Sequence, residues 1–166
     1  MQPIDIRSKL LRKIRATIIF FMIALILSGI TAFPLETELH WLLAYRHSMP
    51  AQLGIFINTV YEALHDTNLH YPMLAYGYDW LAFAHIVIAM FFIGPLKDPV
   101  KNIWVIEWGM LACMAVIPLA FIAGPVRGIP FYWKCIDCSF GVLGIIPLYI
   151  AWRWIKQLEN VRNVEI

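Results

Sequence analysis

Residues 16–33 read ATIIFFMIALILSGITAF, an unbroken apolar run between Arg15 and Pro34. The hydrocarbon core of a bilayer is about 30 Å thick, and a helix needs about 20 mostly apolar residues to cross it. This run meets that need. A basic stretch ahead of it and the small residues of ITAF also fit a secretory signal. Such a signal usually has an apolar core of only about 7–15 residues, so the length favours an uncleaved span. Three more windows have the same character. Residues 75–94 (AYGYDWLAFAHIVIAMFFIG) end at Pro95, and residues 103–124 (IWVIEWGMLACMAVIPLAFIAG) end at Pro125. Residues 131–152 (FYWKCIDCSFGVLGIIPLYIAW) follow Pro130, which suits a first helical turn.

Composition agrees with lipid as the solvent. The 166 residues are 61% hydrophobic and 14% charged, against roughly 25% charged in ordinary soluble domains. There is no internal repeat and no low-complexity tract. The net charge is only +2, and the basic residues flank apolar runs instead of striping a polar face. That pattern excludes a nucleic-acid footprint.

The distribution of basic residues predicts orientation, because they favour the cytoplasmic side. Arg7, Lys9, Arg12, Lys13 and Arg15 precede the first span, Lys97 and Lys101 lie between the second and third, and Arg153, Lys156 and Arg162 follow the fourth. Only Arg46, Arg127 and Lys134 fall elsewhere. The expectation is a cytoplasmic N-terminus (1–15), a cytoplasmic loop (95–102) and a cytoplasmic tail (153–166). Residues 34–74 and the short loop 125–130 then lie outside. The membrane would be the plasma membrane, the inner one in a bacterium.

Residues 34–74 have helical periodicity of their own. Leu35, Leu39, Leu42 and Leu43 form one stripe, and Leu53, Ile57, Val60, Tyr61 and Leu64 form another after Pro50. Neither is apolar all round, so both read as short amphipathic helices. The predicted fold is all-α: an integral membrane four-helix bundle with two amphipathic helices capping its extracytoplasmic side.

Three constellations could carry chemistry. The first is in the outer segment, which holds four of the five histidines. Glu36, His40 and His47 lie opposite the leucines, and Glu62, His65 and Asp66 share a face at i, i+3, i+4. Imidazole and carboxylate suit zinc and related ions, which makes His40, His47, Glu62, His65 and Asp66 metal candidates. The alternative is a hydrated face on two surface helices. The second is inside the apolar windows, where ionisable groups are costly. His85 sits about 15 Å deep and Glu107 about five residues into the third window, so an imidazole–carboxylate contact is feasible between neighbouring spans. It would serve a proton relay or a quinone site, or simply join two helices. Haem would need a second facing imidazole, and the spans supply only His85.

The third constellation is an outer mouth. Asp79, Arg127, Lys134 and Asp137 meet a belt that includes Trp80 and Trp133. Lys134 and Asp137 are i, i+3 and can neutralise each other. Arg127 can pair with Asp79. Such a mouth could hold an anionic or aromatic ligand, or the belt could only fix depth in the membrane.

The fourth window also carries Cys135 and Cys138. A Cys-x-x-Cys pair at a helix N-terminus beside Lys134 has a thiolate-stabilising setting, although Asp137 between the thiols opposes it. Cys113, inside an apolar run, reads as a small hydrophobe. The placement of Cys135-x-x-Cys138 at the outer start of the last span, with a surface helix after the first, resembles the vitamin K epoxide reductase family. The resemblance implies a four-helix core in which Cys135 and Cys138 would exchange electrons with a quinone. That family also uses a second cysteine pair after its first span, and residues 34–74 contain no cysteine.

Three function classes follow. One is a non-catalytic subunit or a module that binds a small ligand or a protein partner, another membrane protein or an extracytoplasmic one. The second is a thiol- or quinone-linked oxidoreductase using Cys135 and Cys138. The third is a small oligomeric proton-coupled transporter using His85 or Glu107. The binding module accounts best for an aromatic mouth without a complete catalytic set.

Overall fold

The computed structural model describes residues 3–164; residues 1–2 of the basic N-terminal segment and residues 165–166 of the tail lie outside that description. Among the described residues the chain forms helices and no strand. In order these are α1 (Pro3–Ala32), α2 (Leu35–Ala44), α3 (Ala51–His70), α4 (Ala75–Phe91), α5 (Ile93–Lys97), α6 (Ile103–Val126) and α7 (Phe131–Val164). Single 3₁₀ turns at Arg46–Ser48 and Pro72–Leu74 link α2 to α3 and α3 to α4.

Four helical stretches are long and apolar enough to cross a membrane: Ile6–Ala32, Pro72–Lys97, Ile103–Val126 and Phe131–Val161. Only 11% of the most apolar window of α6 is buried in protein. Phe20, Leu119, Ile122 and Phe140 are all more than half exposed. Water would not tolerate that much bare hydrocarbon, which fits a multi-pass membrane protein.

Two of these helices run past their apolar windows. α1 continues back through the basic segment and α7 onward through the tail. Lysine, arginine, glutamate and leucine are good helix formers, and each extension prolongs a buried stripe. Ile14, Ile18 and Phe21 are buried on α1; Leu148, Ala151, Ile155 and Leu158 are buried on α7. Both sets follow helical spacing. The stretch 75–97 instead breaks between α4 and α5. Pro95 has no N–H to donate to the carbonyl four residues back, and Phe92 N–H bonds Ala89 O at 3.1 Å, a 3₁₀ pattern.

The chain divides into two compact units, one of residues up to Ile23 together with those from Ala89 onward, the other Ala24–Ile88. In the first unit α6 packs along α7. Glycine allows their close approach. A Cβ at Gly141 would lie 2.5 Å from Cys113 O, and one at Gly144 2.9 Å from Cys113 Sγ. Phe21 and Phe92 meet at 5.0 Å in the same unit. In the second unit α2 packs on α3 with Leu39 and Ile57 buried, and Gly29 faces Ala82 O of α4, 2.6 Å from where a Cβ would sit.

Candidate functional site

The turn from α6 to α7 builds the most ligand-like feature. α6 ends on a Schellman motif: Ile129 N–H donates to Gly124 O at 2.9 Å and Gly128 N–H to Pro125 O at 3.2 Å. Gly128 takes φ +68, the left-handed conformation that glycine adopts freely. Pro130 O then accepts from Trp133 N–H (3.1 Å) and Lys134 N–H (3.2 Å), starting α7.

This short reversal brings Arg127, Lys134 and Asp137 to one open groove of about 270 Å³. Its remaining wall is Val116, Leu119, Ala120, Ala123, Gly124 and Ile129. Gly124 is buried, and a Cβ there would lie 2.5 Å from Lys134 Cδ, so the absence of a side chain lets the lysine stem cross α6. Lys134 Nζ rests 5.8 Å from the Phe121 ring centre and 5.5 Å from that of Phe131. A cation over an aromatic face is stabilised by the ring quadrupole. The i, i+3 neutralisation of Lys134 by Asp137 is therefore not what the side chain does. It turns to the two rings and leaves the Asp137 carboxylate in the groove. Cys135 and Cys138 follow Lys134 in the first turns of α7. Both cysteines are free thiols, Cys135 exposed and Cys138 half-buried. Cys113 is also free and packs on Gly144.

Glu107 of α6 accepts a hydrogen bond from Trp152 Nε1 of α7 at 3.0 Å. The pair joins the two helices and gives the carboxylate a donor. Trp152→Phe would keep most of the ring packing but strip Glu107 of that donor. A loss of about 1.5 kcal/mol is expected, the scale of a charge-assisted hydrogen bond, read by thermal unfolding in mild detergent.

His85, Asp79 and Trp80 belong to the second unit. His85 Nδ1 bonds Leu81 O of its own helix at 2.9 Å. Asp79 is half-buried. Trp80 stands edge-on to Tyr76 (5.8 Å) and Phe83 (6.2 Å) along α4. Trp133, in the first unit, is half-buried near the start of α7.

The outer histidines and carboxylates sort differently from the faces drawn on single helices. Glu36 of α2 is bound by two residues of α3: Nδ1 of His65 lies 2.6 Å from Oε1, and Asn68 Nδ2 donates to Oε2 at 2.6 Å. Tyr78 of α4 donates its hydroxyl to Asn68 Oδ1 at 2.9 Å. The result is one chain of side chains, Tyr78–Asn68–Glu36–His65, spanning three helices. The hydrogen bond from His65, then that from Asn68, holds the Glu36 carboxyl below its ordinary pKa of 4.5. Tyr61 stacks on His65 at 5.7 Å and meets His40 at 5.7 Å. Glu62 accepts from Asn58 (2.7 Å), and Asp66 lies 3.1 Å from His70 Nδ1. His47 is exposed in a 3₁₀ turn. The metal candidates are thus split among separate pairs, and among the described residues no three metal-ligating side chains come together. Asn68 and Tyr78 were missed by the sequence reading. The available signal was Asn68 three residues beyond His65, on the same face of α3.

The chain matches no known protein family, curated protein or solved structure.

Proposed function

We propose that the chain is a multi-pass membrane protein with cytoplasmic termini that acts as a non-catalytic binding module. Its ligand is a small anionic amphiphile held in the α6–α7 groove. The observation that carries this reading is Arg127 and Lys134 lining a groove that is otherwise mainly apolar. Two cations against the single carboxylate of Asp137 favour one anionic head. The wall from Val116 to Ala123 suits a short hydrocarbon tail. At about 270 Å³ the groove lies near the small end of ligand pockets, roughly 300–1,000 Å³, which limits the ligand to a few carbons beyond its head.

The binding reading stands ahead of a thiol oxidoreductase because the groove is lined by Arg127 and Lys134 and by neither Cys135 nor Cys138. It stands ahead of a transporter because both groups that could couple proton movement have partners: Glu107 is tied to Trp152 and His85 to Leu81 O. In this reading α2 and α3 form the extracytoplasmic cap, fixed to α4 through Asn68 and Tyr78.

Hexanoate and hexanol, titrated against the protein in mild detergent, provide the test. Hexanoate is expected to bind more tightly. Arg127→Gln or Lys134→Met should each weaken it about tenfold, since a charge-assisted contact is worth about 1.5 kcal/mol or more, and leave hexanol unchanged. Methionine keeps the lysine stem over Gly124, so a loss reports the charge. Equal binding of acid and alcohol, or unaltered hexanoate binding in the double variant, would remove the proposal.

A further inference from the structure

A second cavity lies in the same compact unit, away from the α6–α7 groove. It encloses about 240 Å³ and is lined by Arg7, Leu11, Arg15, Lys97, Asp98, Pro99, Val100 and Leu158. Among the described residues, three cations face one carboxylate. Asp98 Oδ1 already accepts the backbone N–H of Lys101 at 3.1 Å, which turns that carboxylate partly toward its own loop. Arg15 Nε is fixed on Leu96 O at 3.1 Å, leaving its two terminal nitrogens as donors. Arg7 and Lys97 make no ion pair or hydrogen bond with another described residue. Pro99 and Leu158 are buried and give the pocket an apolar floor.

Unpaired cations gathered around one small cavity repel one another unless an anion sits among them. The position adds a second argument. Arg15 directly precedes the apolar run 16–33, and Lys97 ends another candidate span (Pro72–Lys97). Charged ends of membrane-crossing helices lie at the depth of lipid headgroups, and basic pockets between such helices suit anionic headgroups. Guanidinium groups match phosphate oxygens with paired N–H donors.

We propose that Arg7, Arg15 and Lys97 form a phosphate-binding site, filled by the headgroup of an anionic phospholipid or by a soluble phosphate ester. Leu11 and Val100 would then meet the glycerol and first acyl carbons of a lipid. This site shares no residue with the groove of Arg127 and Lys134, so either can fail without the other.

The test uses the full chain in mild detergent, with native mass spectrometry counting bound molecules. Probes are phosphatidylglycerol, phosphatidylcholine and glycerol 3-phosphate. Phosphatidylglycerol should be retained and phosphatidylcholine lost, because three cations against one carboxylate favour a net anion. Arg7→Gln with Lys97→Gln should weaken retention at least tenfold. Both side chains are exposed and make no ion pair or hydrogen bond with another described residue, so folding should be spared, and Lys97→Gln alone provides a second variant. Arg12→Gln with Arg153→Gln removes the same charge outside the pocket and should retain the lipid. Glycerol 3-phosphate binding as tightly as the lipid, and lost in the same variant, would assign the site to a soluble ester. Equal retention of the two lipids with no binding of glycerol 3-phosphate would overturn the proposal. So would equal losses in the two double variants, or unchanged retention without Arg7 and Lys97.

Discussion

Gly141→Leu is expected to cost about 3 kcal/mol or more and to leave little folded protein at 37 °C. The obstacle is backbone: a Cβ at Gly141 would lie 2.5 Å from Cys113 O, and a carbonyl inside α6 cannot step aside without shifting the helix. Overpacking of this kind typically costs 1–3 kcal/mol, and a leucine adds far more than one methylene. Thermal unfolding in detergent would measure it. Two companions separate packing from helix propensity. Gly77 has open space around its missing Cβ, so Gly77→Ala should stabilise by about 0.5–1 kcal/mol. Gly144→Ala is crowded by the Cys113 sulfur, at 2.9 Å, while Phe21 Cε2 lies at an ordinary 3.6 Å. Cys113→Ala should therefore relieve Gly144→Ala but not Gly141→Leu. If Cys113→Ala rescues both, the close approach of α6 and α7 is not set by backbone contact.

The second large effect belongs to Asn68. Its amide receives the Tyr78 hydroxyl and donates to Glu36, so Asn68→Ala cuts the link between α2, α3 and α4 at its middle. A loss of about 2 kcal/mol is expected from two severed hydrogen bonds in a part-buried setting. Faster amide exchange should be concentrated in α2 and the C-terminal half of α3. Exchange that rises uniformly over the chain would argue that Asn68 is only one stabilising residue among many. The same network predicts acid sensitivity. Glu36 has a folded pKa below its ordinary 4.5, so the unfolded state takes up its proton first as pH falls. The carboxylate's contribution is complete above about pH 4.5 and is lost as pH drops through the lower folded value. Protection of α2 should thus hold at pH 5–7 and fall below that range. Glu36→Gln should flatten the profile.

Much of this could be read along the chain, for local reasons. The four apolar windows follow from side-chain hydrophobicity alone, and α2 and α3 from the spacing of Leu39 and Ile57 with their neighbours. Pro125 and Pro130 bracketed the α6–α7 reversal because proline acts on its own backbone. Asn68 and Tyr78 were not legible as partners. An amide and a phenol are ordinary on any helix, and only packing decides whether they face each other. The five outer metal candidates failed to converge for a related reason. Sharing a face on one helix does not place side chains within one coordination sphere.

Lys134 shows the division most clearly. From the sequence its neighbours were Asp137 and the thiols, all within four residues on its C-terminal side. In the folded chain it lies over Phe121 and Phe131, because Gly124 leaves room for its stem. Residue types and their spacing determined that this protein is helical, oily and asymmetric in charge, since each property sums over single positions. Which cation meets which ring, carboxylate or cavity was decided only when separate helices came together. Those energies belong to pairs distant in sequence, and no single segment contains both members.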